Sequence, residues 1–240
     1  MKSGRFWIAT AAAATGCVVT AALGFWQLDR ARQKEELALA IARNRAQPPL
    51  TAQDLQQGNP MRLVHRPVLL RGTWAADHTV FLDNRQMDGR VGFYVVTPLQ
   101  LAGSNAAVLV QRGWVPRNFQ QREQLPTVAT LPGTVEIAGR IAPPPARLYQ
   151  FDAAASGPIR QNLDLGAFAA ETRLNLLPVS VLQTGAASEG LLRNWPETGG
   201  RGPETNYGYA FQWWSLSALI AILYAWFQFI QPRRQARQRR

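Results

Sequence analysis

Two stretches without a charged residue constrain this chain more than anything else in its 240 residues. The first, Phe6–Leu28, is 23 residues long and lies between Arg5 and Asp29. The second, Tyr207–Ile230, is 24 residues long and is followed by Arg233, Arg234, Arg237, Arg239 and Arg240. At 1.5 Å per residue such helices reach about 35 Å, enough to cross a hydrocarbon core of about 30 Å with some tilt. A charge at the centre of a span costs roughly 2.5–3.5 kcal/mol on insertion scales, so two clean stretches predict two spans. The first run is too long for a signal-peptide core, whose apolar part is roughly 7–15 residues, so an uncleaved anchor is expected. Only five residues precede it, and no organelle transit peptide is expected.

The net charge of +11 is uneven. The tails carry Lys2, Arg5 and the five arginines with no acid, whereas residues 29–206 hold 19 basic and 15 acidic residues. Basicity at the flanks of apolar runs, with no basic patch interleaved with aromatics, argues against nucleic acid and for lipid headgroups. The positive-inside bias puts both tails in the cytoplasm and the middle of the chain outside. The expected organisation is a cytoplasmic tail at 1–5, a first transmembrane helix at 6–28 and an extracytoplasmic domain at 29–206. A second transmembrane helix follows at 207–230 and a basic cytoplasmic tail at 231–240. Within the domain, 29–45 reads as a helical extension of the first span, ended by Pro48-Pro49, and 46–61 as a linker. The single cysteine, Cys17, lies in the first span, so no intrachain disulfide forms.

The middle of the chain reads as β-rich. Strands are expected at 63–70, 79–82, 91–99, 107–115, 134–141 and 177–182. The Asp88-Gly89 pair turns a hairpin over 79–99. Gly92, Gly113 and Gly139 within strands point to bulges or tight curvature, as in a small barrel. Asn162 or Asp164 caps a short helix reaching Thr172, and 185–205 reads as a loop. The fold class is therefore a membrane protein with two transmembrane α-helices flanking a mainly antiparallel, small barrel-like extracytoplasmic domain.

Catalytic constellations are scarce. His65 and His78 are the only histidines. There is no HExxH, no Gly-x-Ser-x-Gly and no glycine-rich phosphate loop, so no enzyme and no metal site is expected. Four local patterns stand out instead. They are Gly24-Phe25-Trp26-Gln27-Leu28-Asp29-Arg30 with Lys34 beyond; Leu82-Asp83-Asn84-Arg85 leading to Thr97-Pro98-Leu99; Val110-Gln111-Arg112-Gly113-Trp114-Val115-Pro116; and Tyr209-Ala210-Phe211-Gln212-Trp213-Trp214.

Taken together and in this order, these runs resemble the surfeit locus protein 1 family. That resemblance implies an assembly factor for haem-copper cytochrome c oxidase in a bacterial inner membrane, without turnover of its own. It would assist haem a placement or maturation of the core subunit. The implied cofactor is haem a, held transiently; the implied partners are cytochrome c oxidase subunit 1, other assembly factors and membrane lipids. The residues implied in haem or partner binding are Arg112, Trp114, Asn206, Tyr209 and Trp213, with Trp26, Gln27, Arg30 and Lys34 forming a helix-end motif. Family members often carry a histidine three residues before the Tyr-Ala pair; here that position is Asn206, a poor iron ligand beside imidazole. From the residues alone, a second class stays open: a periplasm-facing adaptor or sensor that binds no haem.

Overall fold

The computed structural model describes residues 4–118, 125–149, 157–196 and 202–238, with side chains left undescribed from 235 onward. Arg239 and Arg240, and residues 197–201 of the expected loop, lie outside the described residues. The chain divides into two compact units, Met1–Ala40 with Thr198–Arg240, and Ile41–Glu197.

The helical unit draws on both ends of the chain. Helix α1, Gly4–Arg45, runs unbroken for 42 residues and continues past the apolar stretch into Asp29–Arg45. Its second half is rich in Ala, Leu, Gln, Glu and Arg, all good helix formers, and nothing there interrupts the hydrogen-bond ladder. The later helix begins at Glu204, three residues before the apolar run, and is regular to Ala225. A π-helical turn over Trp226–Ile230 then leads into a second, basic helix, Gln231–Gln238. Both long helices are long and apolar enough to cross a membrane.

The other unit is a mixed sheet with short helices at its margins. Helix α2, Ala52–Gln57, lies within the stretch expected to be a linker. It is held by a reciprocal cap: the Asp54 amide donates to the Thr51 hydroxyl, and the Thr51 amide donates to the Asp54 carboxylate at 2.7 Å. The signal was a Thr followed three residues later by an acid. The strands are β1 Pro67–Trp74, β2 Val80–Met87, β3 Arg90–Leu101, β4 Ala106–Pro116, β5 Thr134–Ala142, β6 Ile159–Arg160 and β7 Asn175–Gln183. Helix α3, Leu165–Thr172, precedes β7, and Asp164 caps it by accepting from the Ala167 amide at 2.9 Å. The later helices are α4, Glu204–Ala225, and α5, Gln231–Gln238.

The first strand begins four residues later than its hydrophobicity suggests. Pro60–Leu63 is a tight helical turn and His65 sits at φ 73°, so the extended backbone starts only at Pro67. Pairing is mainly antiparallel, as expected, within a sheet that is nonetheless mixed. Five pairings are antiparallel, but β4–β7 and β2–β6 are parallel. Parallel neighbours need a crossover, and which strands meet across one leaves no mark on the residues of either.

Strand β1 pairs with β5 on one side and, through Gly72–Trp74, with Leu99–Leu101 of β3 on the other. The order β1-β5-β7-β4-β3 thus closes into a five-stranded barrel, with β2 and β6 continuing along the other half of the long β3. Alternation fills the interior: Val68, Leu70, Leu99, Leu101, Val108, Val110, Ile137, Ile141 and Val181 form one buried cluster. A second cluster packs Phe168 of α3 against Val80, Leu82, Val96 and Leu109. Two bulges bend the sheet. Asp83-Asn84 face the single residue Phe93, with Asn84 at φ 59°. On β4, Gln111 pairs with Val96 and Gly113 with Val95, which leaves Arg112 as the extra residue. Such insertions increase the local twist, as closure of a small barrel requires.

Candidate functional site

The sequence-derived candidates fall into two groups, one in each unit. In the helical unit, α1 and α4 run antiparallel and are tied at successive levels. The Thr10 hydroxyl and the Tyr224 phenol lie 2.7 Å apart. Further along, the Cys17 thiol donates to the Ser217 carbonyl at 3.5 Å, and the Ser217 hydroxyl donates to the Cys17 carbonyl at 3.1 Å. Gly24 lets Trp214 lie on the α1 backbone, for a Cβ there would sit 2.3 Å from the indole Nε1. Phe25 meets the same indole edge-on at 5.5 Å.

Asn206 occupies the end of this ladder. Its Nδ2 donates to Gln27 Oε1 at 2.6 Å, and its Oδ1 accepts from Lys34 Nζ at 2.7 Å. Both polar ends of the amide are therefore engaged by α1, and the side chain serves as a tie between helices. One residue on, the Tyr207 hydroxyl donates to Glu35 Oε1 at 2.8 Å. Arg30 donates to Gln33 Oε1 at 3.0 Å, and Gln33 donates to Asp29 at 2.8 Å, along the exposed surface of α1. The structure thus brings Gln27, Lys34 and Asn206 into one cluster. Trp26 and Tyr209 stand exposed and Trp213 is half-buried.

These groups do not suit axial ligation of a haem iron. The helical unit contains no histidine, the amide of Asn206 is committed, and the thiol of Cys17 is directed at a carbonyl. Among the described residues no three His, Cys, Asp or Glu side chains gather as a metal site would need.

In the sheet unit, Arg112 is wholly buried at its bulge. Its Nη1 donates to the Thr130 hydroxyl and its Nη2 to the Ala129 carbonyl, both at 2.7 Å, and Nη2 lies 2.9 Å from Glu189 Oε2. The guanidinium rests over the Trp74 ring at 4.7 Å. Arg193 reaches the same carboxylate at 3.6 Å and donates from Nε to the Arg112 carbonyl at 2.9 Å. Burial, chiefly, lowers the pKa of Arg193. Trp114 is also fully buried, donates from Nε1 to the Arg85 carbonyl at 2.9 Å, and lies under the guanidinium of Arg90 at 5.8 Å. Both residues are thus interior parts of the barrel wall; the Trp114 indole nitrogen and both Nη atoms of Arg112 have partners there, while Arg112 Nε has none.

Sequence reading passed over two neighbouring features. Arg160 is nearly buried and clasps Glu171 with both Nη atoms, at 2.7 and 2.5 Å, which holds the Glu171 carboxyl below the usual carboxylate range. Arg85, the last residue of the Leu82-Asp83-Asn84-Arg85 run, is only 5% exposed. It donates from Nη2 to the Gln161 carbonyl at 2.9 Å and sits 5.9 Å from the centre of the Tyr94 ring. The Asp83-Asn84-Arg85 run carried the only trace of this, because a bulge turns Arg85 to the face shared with Tyr94.

A pair of long apolar helices drawn from opposite ends of the chain, with a closed mixed sheet between them in sequence, defines a helix-plus-barrel class with no assembled catalytic group among the described residues. Within that class the assignment is specific: a model of the SURF1 family matches residues 14–218, and the chain belongs to that family. A SURF1-like protein of Monosiga brevicollis is 30% identical over 135 residues, 51% of this chain and 50% of the relative. A SURF1-like protein of Rickettsia felis is 29% identical over 94 residues, 38% of this chain and 39% of the relative. Surfeit locus protein 1 of Rattus norvegicus is 33% identical over 121 residues, 42% of this chain and 39% of the relative. The chain spans at most about half the length of these curated relatives.

Proposed function

We propose that this protein is a membrane-held assembly factor for haem-copper cytochrome c oxidase, acting on the core subunit without catalytic turnover. Family membership carries the reading, since the family is generally linked to cytochrome oxidase assembly. In it, residues 6–28 and 207–230 cross a bacterial inner membrane, residues 29–206 lie in the periplasm, and both tails are cytoplasmic. The outward surfaces of the helices support this. Val18, Val19, Phe211, Leu219, Ile222 and Leu223 are exposed, a display that lipid would cover and water would not tolerate. The aromatics form two belts: Trp7 and Trp226 near one end, Trp26 and Tyr209 near the other. Trp7 and Trp26 are nineteen residues apart in one helix, about 28 Å, the spacing of the two interfaces of a bilayer.

In this reading the protein assists haem a placement or core-subunit maturation through aromatic faces and a polar helix end, and does not ligate the iron. Deleting the gene is expected to lower the haem-a absorbance of membranes while other respiratory complexes persist; an unchanged oxidase spectrum refutes the proposal. A tag after Arg240 is expected to be shielded from periplasmic labelling reagent, and labelling of intact cells refutes the topology.

The engagement of Asn206 by Gln27 and Lys34 favours a second reading, an adaptor that touches no haem. Protein purified from cells making haem a separates the two: co-purifying haem a without a histidine-ligated spectrum supports the first, and its complete absence supports the second.

A further inference from the structure

The end of the helical unit that carries Trp7 and Trp226 holds charge of one sign only. Arg5 lies at the start of α1, and Arg233 and Arg234 lie in α5; all three are exposed. The Thr10–Tyr224 pair fixes the register of the two ends. At 1.5 Å per residue, Arg5 lies about 8 Å beyond that level and Arg233 about 13 Å, so both fall within one layer of roughly 5–8 Å, the depth of a headgroup region. Lys2, Arg237, Arg239 and Arg240 add four more cations in the sequence, and there is no Asp or Glu before Asp29 or after Glu204. In the two-span reading every acid of the sequence therefore lies beyond the opposite face of the bilayer. Like charges gathered at one level repel, and these residues hold nothing that offsets them there.

One of the arginines is seated. Pro232 has no N–H to give the Gln228 carbonyl, and its ring would crowd that carbonyl in a regular helix. The chain widens instead into the π-helical turn Trp226–Ile230, in which the Gln231 N–H donates to the Trp226 carbonyl. Eight residues of regular helix would put Arg234 about 80° round from Trp226; the extra residue in the wide turn removes about 100°, which brings the two onto one face. The Arg234 guanidinium accordingly lies over the Trp226 ring, 5.0 Å from its centre. The indole is 40% exposed, so the pair is open to its surroundings. Held through its charge by the ring, the guanidinium keeps its N–H donors for an oxyanion and loses less freedom on binding than a solvated side chain. We propose that Arg234, seated on Trp226 by the Pro232 turn, forms with Arg5 and Arg233 a binding site for the phosphodiester headgroup of an anionic membrane lipid. The level decides for lipid: the site lies where the apolar run Tyr207–Ile230 ends, and exposed Phe227, Phe229 and Ile230 beside it offer acyl chains a surface. The inference rests on the two-span reading of the proposed function and not on the oxidase role.

The test titrates the full chain in mild detergent with phosphatidylglycerol, which carries one phosphodiester and a net negative charge, and counts bound lipid by native mass spectrometry. Phosphatidylcholine, with the same phosphodiester and no net charge, is the control; inorganic phosphate and a heptaglutamate peptide are added as soluble competitors. Phosphatidylglycerol is expected to saturate at least about fivefold tighter than phosphatidylcholine, and neither competitor is expected to displace it. Trp226→Leu and Pro232→Ala keep every charge; the first removes the ring, and the second restores the regular ladder that carries Arg234 away from it. Each is expected to weaken phosphatidylglycerol about 2- to 5-fold. Arg234→Gln is expected to cost about 10- to 25-fold, against about fivefold for Arg233→Gln, which removes the same charge one residue away. Three results each overturn the proposal: phosphatidylglycerol binds no tighter than phosphatidylcholine, Trp226→Leu and Pro232→Ala both bind as wild type, or phosphate or the peptide displaces the lipid and so assigns the arginines to a free anion or an acidic protein. A titration that fails while a tag after Arg240 stays shielded in intact cells refutes the site and leaves the two spans standing.

Discussion

The tie made by Asn206 gives a prediction whose size follows from its two hydrogen bonds. Asn206→Leu removes the bond to Gln27 and the charge-assisted bond to Lys34 while keeping side-chain bulk. Interhelical polar contacts in membrane proteins average about 0.6 kcal/mol and reach about 1.7, while bonds to charged groups run to roughly 1.5–3. The cluster is only partly buried, so we assign about 0.6 to the Gln27 bond and about 1.4 to the Lys34 bond, roughly 2 kcal/mol in all. At 1.4 kcal/mol per factor of ten, this is about a 30-fold loss in the pairing equilibrium of α1 with α4. The native Cys17 provides the assay. Ser217→Cys places a second thiol opposite it, and the disulfide equilibrium in a glutathione buffer reports the effective concentration of one helix at the other. Against that common background, Asn206→Leu is expected to lower the effective concentration about 30-fold. Asn206→Asp is expected to be mild, because its carboxylate still faces Lys34 and the Gln27 amide can turn to donate. In a double-mutant cycle, Gln27→Leu and Asn206→Leu are expected to couple. A change below about twofold for Asn206→Leu, or fully additive costs in the cycle, refutes the tie.

Three further outcomes concern the barrel unit. Arg112→Leu leaves Glu189 facing Arg193 at 3.6 Å only, and is expected to cost about 3–5 kcal/mol in denaturant unfolding followed by tryptophan emission; near-wild-type stability contradicts an interior role. Gly92→Ala places a Cβ 2.2 Å from the Val115 carbonyl oxygen and 2.6 Å from the Trp114 ring, and is expected to lower stability by about 1–3 kcal/mol in the same assay. Burial, then the charges of Arg140 and Arg45, depress the pKa of His65. The unfolded chain therefore binds a proton at higher pH than the fold does. The stability contributed by neutral His65 is complete above about pH 6.5 and declines as pH falls toward the depressed value. His65→Asn, which tolerates the positive φ, is expected to lose less stability between pH 7 and pH 5 than wild type; equal slopes contradict the assignment.

Features carried by local residue patterns were legible in the sequence. The Asp88-Gly89 turn, the Asp164 cap and the alternation of Ile137 and Ile141 against Glu136 are properties of neighbours along the chain, and the structure follows them. The beginning of β1 was not, because the left-handed conformation of His65 gives no hydrophobic signal. Helix α2 was legible in principle through Thr51 and Asp54, but a short polar stretch after two prolines reads more readily as a loop. Closure of β1 onto β3 and the parallel pairing of β4 with β7 depend on residues far apart, which one sequence does not disclose. The same limit governed the candidate residues. Arg112 and Trp114 entered as residues that the resemblance implies in haem or partner binding; their place inside the wall, at and beside the bulge, follows from pairings that the motif does not disclose. Asn206 drew attention as a missing ligand; its role emerged only when Gln27 and Lys34 were placed beside it.

The helix pair joins the first and last parts of the chain, Thr10 to Tyr224 and Cys17 to Ser217. On the ribosome, the partner of α1 is therefore made only after nearly two hundred intervening residues. At about 5–20 residues per second, α1 waits roughly 10–40 s with the Gly24 groove uncovered and Gln27 and Lys34 lacking Asn206. The translation interval thus falls between synthesis of the two helices, and any neighbour able to fill the groove left for Trp214 has that long to compete with α4.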